Sequence, residues 1–222
     1  MSIGTGPRGG LYIDGFNLYH AIDDLAEPYL KWLDLRRLAR LIARGHAANI
    51  DRIVFGTAYF PSDFDKRKRH ERYVQALESV GVDVLFGHTT KEPEGCLRCG
   101  HRWDAPREKE TDINVALSAY ADAIAGKIDV VFLLSADTDQ AATLRFLRDN
   151  CPLVRRIVVT PPGRYKSKHL LDLSSNTNIQ LTRNHLDECL FRQMFHTDNG
   201  KLIVAPKEYA PPLGWVHPDD RP

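Results

Sequence analysis

A chain of 222 residues, 43% hydrophobic and 27% charged, is long enough to bury one α/β core and too apolar to be disordered throughout. No apolar run reaches the length of a bilayer span, residues 1–10 lack the apolar stretch of a secretory leader, and four cysteines in so long a chain do not make a disulfide scaffold, so the expected compartment is the cytoplasm, with no membrane partner. A formal net charge of +1 gives no whole-chain reason to expect a polyanion. Lysine and arginine do cluster, however, at Lys66, Arg67, Lys68 and Arg69 and again at Arg164, Lys166 and Lys168. Such runs are solvated helix faces more often than tracks for a phosphate backbone.

Leu11, Tyr12 and Ile13 read as a buried strand that meets a turn at Asp14-Gly15. Helices are expected over 17–25 and 34–44, the second with Asp34 as N-cap and Gly45 as its stop. Residues 50–60 are rich in β-branched and aromatic side chains and read as a second strand. Residues 61–63 open a basic helix over 64–80 that Gly81 closes, and 82–86 form a third strand. The segment 87–108 mixes Gly, Pro, Cys and charges without a period and reads as a loop or insertion. Thr111-Asp112 opens a helix whose apolar residues Ile113, Ala116, Leu117, Tyr120 and Ile124 fall on one stripe. Residues 129–135 are nearly all apolar, as in a central strand covered on both faces. A helix over 141–150, a strand over 156–160, a loop at 161–163 and a short strand and helix between 177 and 195 complete the pattern. Residues 196–222 hold several prolines and read as a wrapping or partly disordered arm, outside a domain spanning 8–195.

Strands alternating with helices predict an α/β fold, three layers α/β/α around a mainly parallel sheet. Ligands of such sheets gather at the carboxyl ends of strands where the strand order reverses. Asp14 follows the first strand, Asp137 and Asp139 follow the most apolar one, and Asp112 opens a helix. Each alone has a plainer reading, as a turn or a helix cap. Capping does not explain two acids at one strand end with a third at another, and convergent carboxylates need a cation between them. Their hard oxygens suit Mg²⁺ or Mn²⁺.

The sequence 12–18, Tyr-Ile-Asp-Gly-Phe-Asn-Leu, resembles the opening motif of NYN domains, a branch of the PIN-like nucleases. Residues 108–115, beginning Glu-Lys-Glu-Thr-Asp, are similar to that family's second motif. Residues 134–139, Leu-Ser-Ala-Asp-Thr-Asp, resemble its third, where Ala136 replaces the usual Gly and Thr138 the usual Ser, and Gln140 follows where an aromatic is common. The three occur in the family's order. The resemblance implies a PIN-like fold and a metal-dependent ribonuclease, taken as an endonuclease on single-stranded RNA. Asp14 and Asp137 would then be the central metal ligands, Asp112 and Asp139 would complete the cluster, and Asn17 would orient Asp14 or touch the scissile phosphate. Arg164, Lys166 and Lys168 are then favoured over residues 66–69 as backbone contacts, and a homodimer is a candidate assembly.

Cys96 and Cys99, with two residues between them and followed by Gly100, have the spacing of a zinc knuckle, and His88 and His101 would complete a Cys₂His₂ site in the insertion. The plainer alternative is an unliganded pair. Three rival readings remain: a PIN-like RNA-binding or regulatory module without turnover, a DNA nuclease of related fold, and a haloacid-dehalogenase-type phosphatase. The phosphatase would need a second acid where Phe16 stands.

Overall fold

The computed structural model describes residues 6–59 and 63–221. The chain runs through β1 (Arg8–Asp14), α1 (Gly15–Asp23), α2 (Leu35–Ala43), β2 (Asn49–Thr57), α3 (Phe64–Ser79) and β3 (Asp83–Phe86). A hairpin of β4 (His88–Gly95) and β5 (Arg102–Lys109) leads into α4 (Thr111–Ile124), β6 (Val130–Leu134), α5 (Ala141–Asn150) and β7 (Arg155–Thr160). Then come α6 (Lys168–Leu173), β8 (Asn178–Gln180), α7 (Arg183–Asp187) and a short antiparallel pair, β9 (Met194–His196) and β10 (Leu202–Val204).

Six strands form one sheet in the order β3-β2-β1-β6-β7-β8, every neighbouring pair parallel. Side chains alternate across it, so each strand feeds two cores. Leu11 and Ile13 pack with α1, α2, α3 and α7 on one face, while Tyr12, Val131 and Leu133 pack with α4, α5 and α6 on the other. The result is the expected three-layer α/β/α arrangement. The strand order reverses between β1 and β6, which places the carboxyl ends of those two strands at the switch point.

Local chemistry sets the helix ends. Asp34 caps α2 by accepting from the amides of Arg36 and Arg37 at 2.9 and 3.1 Å, a contact worth about 1 kcal/mol. Asp63 caps α3 through the Lys66 amide at 2.8 Å. Residues 60–62, expected to end the second strand and begin the helix, lie outside the described residues.

Two expectations change. Residues 88–109 are a regular antiparallel hairpin rather than an aperiodic loop. It carries almost no apolar period because it packs few side chains into either core; ion pairs of Glu94 with Arg107 and of Glu92 with Lys109 run along it instead. Most of the apolar stripe on α4 faces away from the sheet: Ile113, Leu117 and Ile124 are exposed and Tyr120 is half-buried at the edge of the core, while Val115, Ala119, Asp122 and Ala123 face the sheet. Small residues let α4 approach the strands, and buried Asp122 accepts a hydrogen bond from Tyr12 Oη at 3.0 Å.

The C-terminal arm wraps its own domain. Ile203, Ala205 and His217 are buried, Trp215 Nε1 donates to Asp187 Oδ1 at 2.8 Å, and Arg37 pairs with Asp219. Among the described residues no helix is long and apolar enough to cross a membrane.

Candidate active-site cleft

Asp14 is the last residue of β1 and the N-cap of α1. Its Oδ1 accepts from the Asn17 amide at 3.0 Å and its Oδ2 from the Ser135 hydroxyl, also at 3.0 Å. The chain turns into α1 at once because Gly15 carries no Cβ; one built there would sit 2.2 Å from the Gly56 carbonyl oxygen on β2. Asn17 Oδ1 accepts from the Ala136 amide at 2.9 Å, which ties α1 to the segment after β6. Ser135 Oγ also accepts from the Asp137 amide at 3.0 Å, and Asp137 Oδ1 accepts from the Asp139 amide at 3.0 Å. Ser135 is therefore a shared post between the two strand-end acids.

On the other side, Glu110 adopts a left-handed backbone, φ +77°, between β5 and α4. A non-glycine residue held there stores strain of about 1–3 kcal/mol, the kind that collects at functional sites. The turn lets Glu108 accept from the Thr111 amide at 2.8 Å and from its hydroxyl, and brings Asp112 to the first turn of α4. Gln140 donates to the Asp112 carbonyl at 3.3 Å and accepts from Thr143 Oγ1 at 2.8 Å. The glutamine thus fits its buried position by joining α4 to α5.

These elements surround a cleft lined by Asp14, Asn17, Glu108, Asp112, Asp137 and Arg164, among others. Burial pushes the Asp14 carboxyl above the usual carboxylate range; the Asn17 amide and Ser135 hydroxyl pull it back, and the charges of Asp137 and Asp112 push it up again. The donor set is hard oxygen under mutual repulsion, which fits a divalent cation of the Mg²⁺ or Mn²⁺ kind. No ready-made cage exists, however: among the described residues no group of three or more His, Cys, Asp or Glu side chains is arranged to hold a metal ion.

The expected residues divide accordingly. Asp14, Asn17, Asp112 and Asp137 share the cleft, while Asp139, exposed and one short turn on, is not among its lining residues. Arg164 reaches the cleft and pairs with Asp24 at 2.8 Å; Lys166 and Lys168 are exposed outside it. Glu108, Glu110, Phe16 and His20 line the cleft without having been assigned to it. Phe16 falls within the first motif and His20 lies two residues beyond it on the same helix, whose spacing was the available signal.

The four candidate zinc ligands do not converge. Cys96, Cys99 and His101 lie at the hairpin tip, where the Cys96 amide donates to the His101 carbonyl at 2.8 Å. His88 starts β4 at the opposite end and contacts Glu110 at 3.2 Å. Seven steps of extended strand separate it from Gly95, about 23 Å, so it cannot join the cysteines. The Cys99 and Arg98 amides hold the Cys96 thiol below its ordinary value.

A second, smaller cavity of about 110 Å³ adjoins the cleft, sharing Phe16 and His20 as walls. It is bounded by α1, β2, α3 and Tyr209 of the C-terminal arm.

The chain is similar to 6-hydroxy-3-succinoylpyridine 3-monooxygenase HspA of Pseudomonas putida, 25% identical over 196 residues, covering 72% of this chain. It spans 62% of that protein's length, under two thirds. Its fold is similar to a crystal structure of a protein of unknown function from Vibrio parahaemolyticus, TM-score 0.57 at 16% identity, over 86% of this chain and 100% of that one. The profile of the NYN domain matches residues 8–183, and the chain belongs to the NYN domain family, within the PIN-like superfamily.

Proposed function

We propose that this chain is a divalent-metal-dependent ribonuclease that hydrolyses RNA phosphodiester bonds in the cleft between β1, β6 and α4. The observation that carries this reading is the gathering of Asp14, Asp112 and Asp137 from three separate elements into one cleft at the switch point of the sheet. Family membership supports it, because NYN domains have a nuclease-like fold and generally bind RNA.

Asp14 and Asp137 would be the central ligands of Mg²⁺ or Mn²⁺, with Asp112 and Asp139 completing the set directly or through water. Bound there, the ion supplies a Lewis acid and a water acidic enough to lose its proton at neutral pH. Ser135 holds Asp14 and the Asp137 backbone in register through two hydrogen bonds. With Asn17 Oδ1 engaged by Ala136, its Nδ2 is the atom left to donate to a phosphate oxygen. Arg164 neutralises a phosphate at the cleft edge, and Lys166 and Lys168 extend that charge along the strand. Hydrolysis adds water to phosphorus and releases one ester oxygen with a proton.

Cys96 and Cys99 are the candidate zinc ligands at the hairpin tip, where zinc would stiffen the segment leading to Glu108; His101 does not complete a three-residue set with them.

A second reading draws on the relative whose name gives it a substituted pyridine as substrate. A ring-sized cavity beside the cleft favours it, in which case the chain would process a free heteroaromatic molecule. Calorimetric titration with Mn²⁺, followed by assays for RNA cleavage and for loss of 6-hydroxy-3-succinoylpyridine, separates the two. The ribonuclease reading expects Mn²⁺ uptake that Asp14→Asn abolishes, RNA cleavage, and no loss of the pyridine. Pyridine turnover without cleavage would replace it.

A further inference from the structure

The smaller cavity, about 110 Å³, falls somewhat below the ~150 Å³ of an apolar cavity that accommodates benzene, so its scale is that of one small ring at most. Leu18 and Ala58 line it with apolar surface, and Tyr73 of α3 and Tyr209 of the arm add aromatic rings. Tyr73 donates its hydroxyl to the Leu33 carbonyl at 2.8 Å, so it offers the cavity its ring. Among the polar side chains in the lining, His70 Nε2 lies 3.0 Å from Thr57 Oγ1. Burial brings the His70 imidazole down to about 4, with the Lys66 charge acting in the same direction, so it is neutral at physiological pH. Lys31 and Lys66 stand at the cavity over the Tyr19 ring, 4.6 and 5.1 Å from its centre.

A wholly apolar ligand would leave the polar edge of the His70–Thr57 pair unused, and Lys31, which also pairs with Asp23, and Lys66 add positive charge to the same lining. A peptide side chain would not explain why the cavity shares Phe16 and His20 with a cleft of carboxylates. A planar ring with hydrogen-bonding edges, carried on a phosphate chain, meets all three features: aromatic walls for its faces, a neutral polar pair for its edge, and cations for its backbone.

We infer that this cavity receives the base of a nucleotide next to the phosphate held in the carboxylate cleft, with Tyr209 of the C-terminal arm as one wall. The inference rests on the ribonuclease reading for the source of the base, but the cavity can be tested without cleavage. The arm would thereby complete a substrate subsite as well as cover the core. Binding would read the base through its edge, giving a preference among the four nucleotides.

The test is an NMR titration of the full chain with each of the four nucleoside 5′-monophosphates and with ribose 5-phosphate, following the Ala58 methyl and His70 ring signals. At least one nucleotide should move both signals while ribose 5-phosphate moves neither. Ala58→Leu, which fills the cavity, should abolish the response. Tyr209→Ala, a milder change on the arm, should weaken binding about tenfold. Equal shifts from ribose 5-phosphate, or no movement with any nucleotide, would overturn the inference. So would a Tyr209→Ala or Ala58→Leu protein that folds and keeps the wild-type nucleotide affinity. If bases bind here and no RNA is cut, the ribonuclease reading falls and the base cavity stands. If RNA is cut and the cavity signals stay still, the reverse holds.

Discussion

Ser135 Oγ donates to Asp14 Oδ2 and accepts from the Asp137 amide, both at 3.0 Å, so one hydroxyl fixes two acids that arrive from different strands. Replacing it removes both contacts in a fully buried place. Ser135→Ala is expected to lower Mn²⁺ affinity about tenfold, as loss of a group that orients a ligand commonly does. It should also cost about 1–3 kcal/mol of stability through the unsatisfied partners. Calorimetry and urea unfolding read the two effects; a variant with unchanged metal affinity would remove Ser135 from the account.

The raised Asp14 carboxyl has a pH signature. Its proton is held more tightly folded than unfolded, chiefly by burial, so the native state binds more protons than the unfolded one. Metal-free protein should lose stability as pH rises from the ordinary aspartate value, about 4, through the raised one. Asp14→Asn removes that loss, so its stability relative to wild type should climb across the same window. Saturating Mn²⁺ should erase the loss in the wild type. Parallel melting curves for the two proteins at every pH would contradict the assignment.

His70 acts in the opposite sense. Its folded value of about 4 lies below the ordinary 6.5, so its contribution is fully present above 6.5 and is lost as pH falls through 4. The shift corresponds to about 3 kcal/mol across that window. His70→Gln should show a much shallower loss of stability between pH 6.5 and 4 than wild type in urea titrations. Equal slopes would mean that the imidazole is not buried neutral.

The four cysteines should separate by reactivity. Backbone amides hold the Cys96 thiol low at the hairpin tip, while burial pushes Cys189 up to about 12. Timed alkylation with mass spectrometry should label Cys96 well before Cys189. Zinc, if the tip holds it, should protect Cys96 and Cys99 equally in wild type and His88→Ala. Loss of protection in His88→Ala would reinstate the histidine as a ligand.

The centre of the sheet was legible because β1 and β6 are buried on both faces and carry apolar runs, with Asp14 ending the first and Asp137 following the second. The hairpin was not, because β4 and β5 place charges and Pro93 where a buried strand would place apolar residues. On α4 the stripe of large apolar residues misled: Ile113 and Leu117 are exposed, and it is Val115 and Ala119 that the sheet accepts. Lys166 and Lys168 share a loop-to-helix segment with Arg164, yet only Arg164 turns to the cleft, a matter of side-chain direction that spacing does not carry. The ring-sized cavity was beyond reach, since Leu18, Thr57, His70 and Tyr209 meet only after four distant segments have packed.

The most direct test is cleavage of an end-labelled single-stranded RNA in Mn²⁺ or Mg²⁺ by the wild type, Asp14→Asn and Asp137→Asn, side by side. Metal-dependent cleavage by the wild type that falls at least about a thousandfold in both variants is the predicted result, equivalent to about 4 kcal/mol of lost transition-state stabilisation. Cleavage that persists in either variant would contradict the assignment of the acids. A wild type as inactive as its variants on several RNAs, while still binding them, would make the chain an RNA-binding module that keeps a nuclease fold.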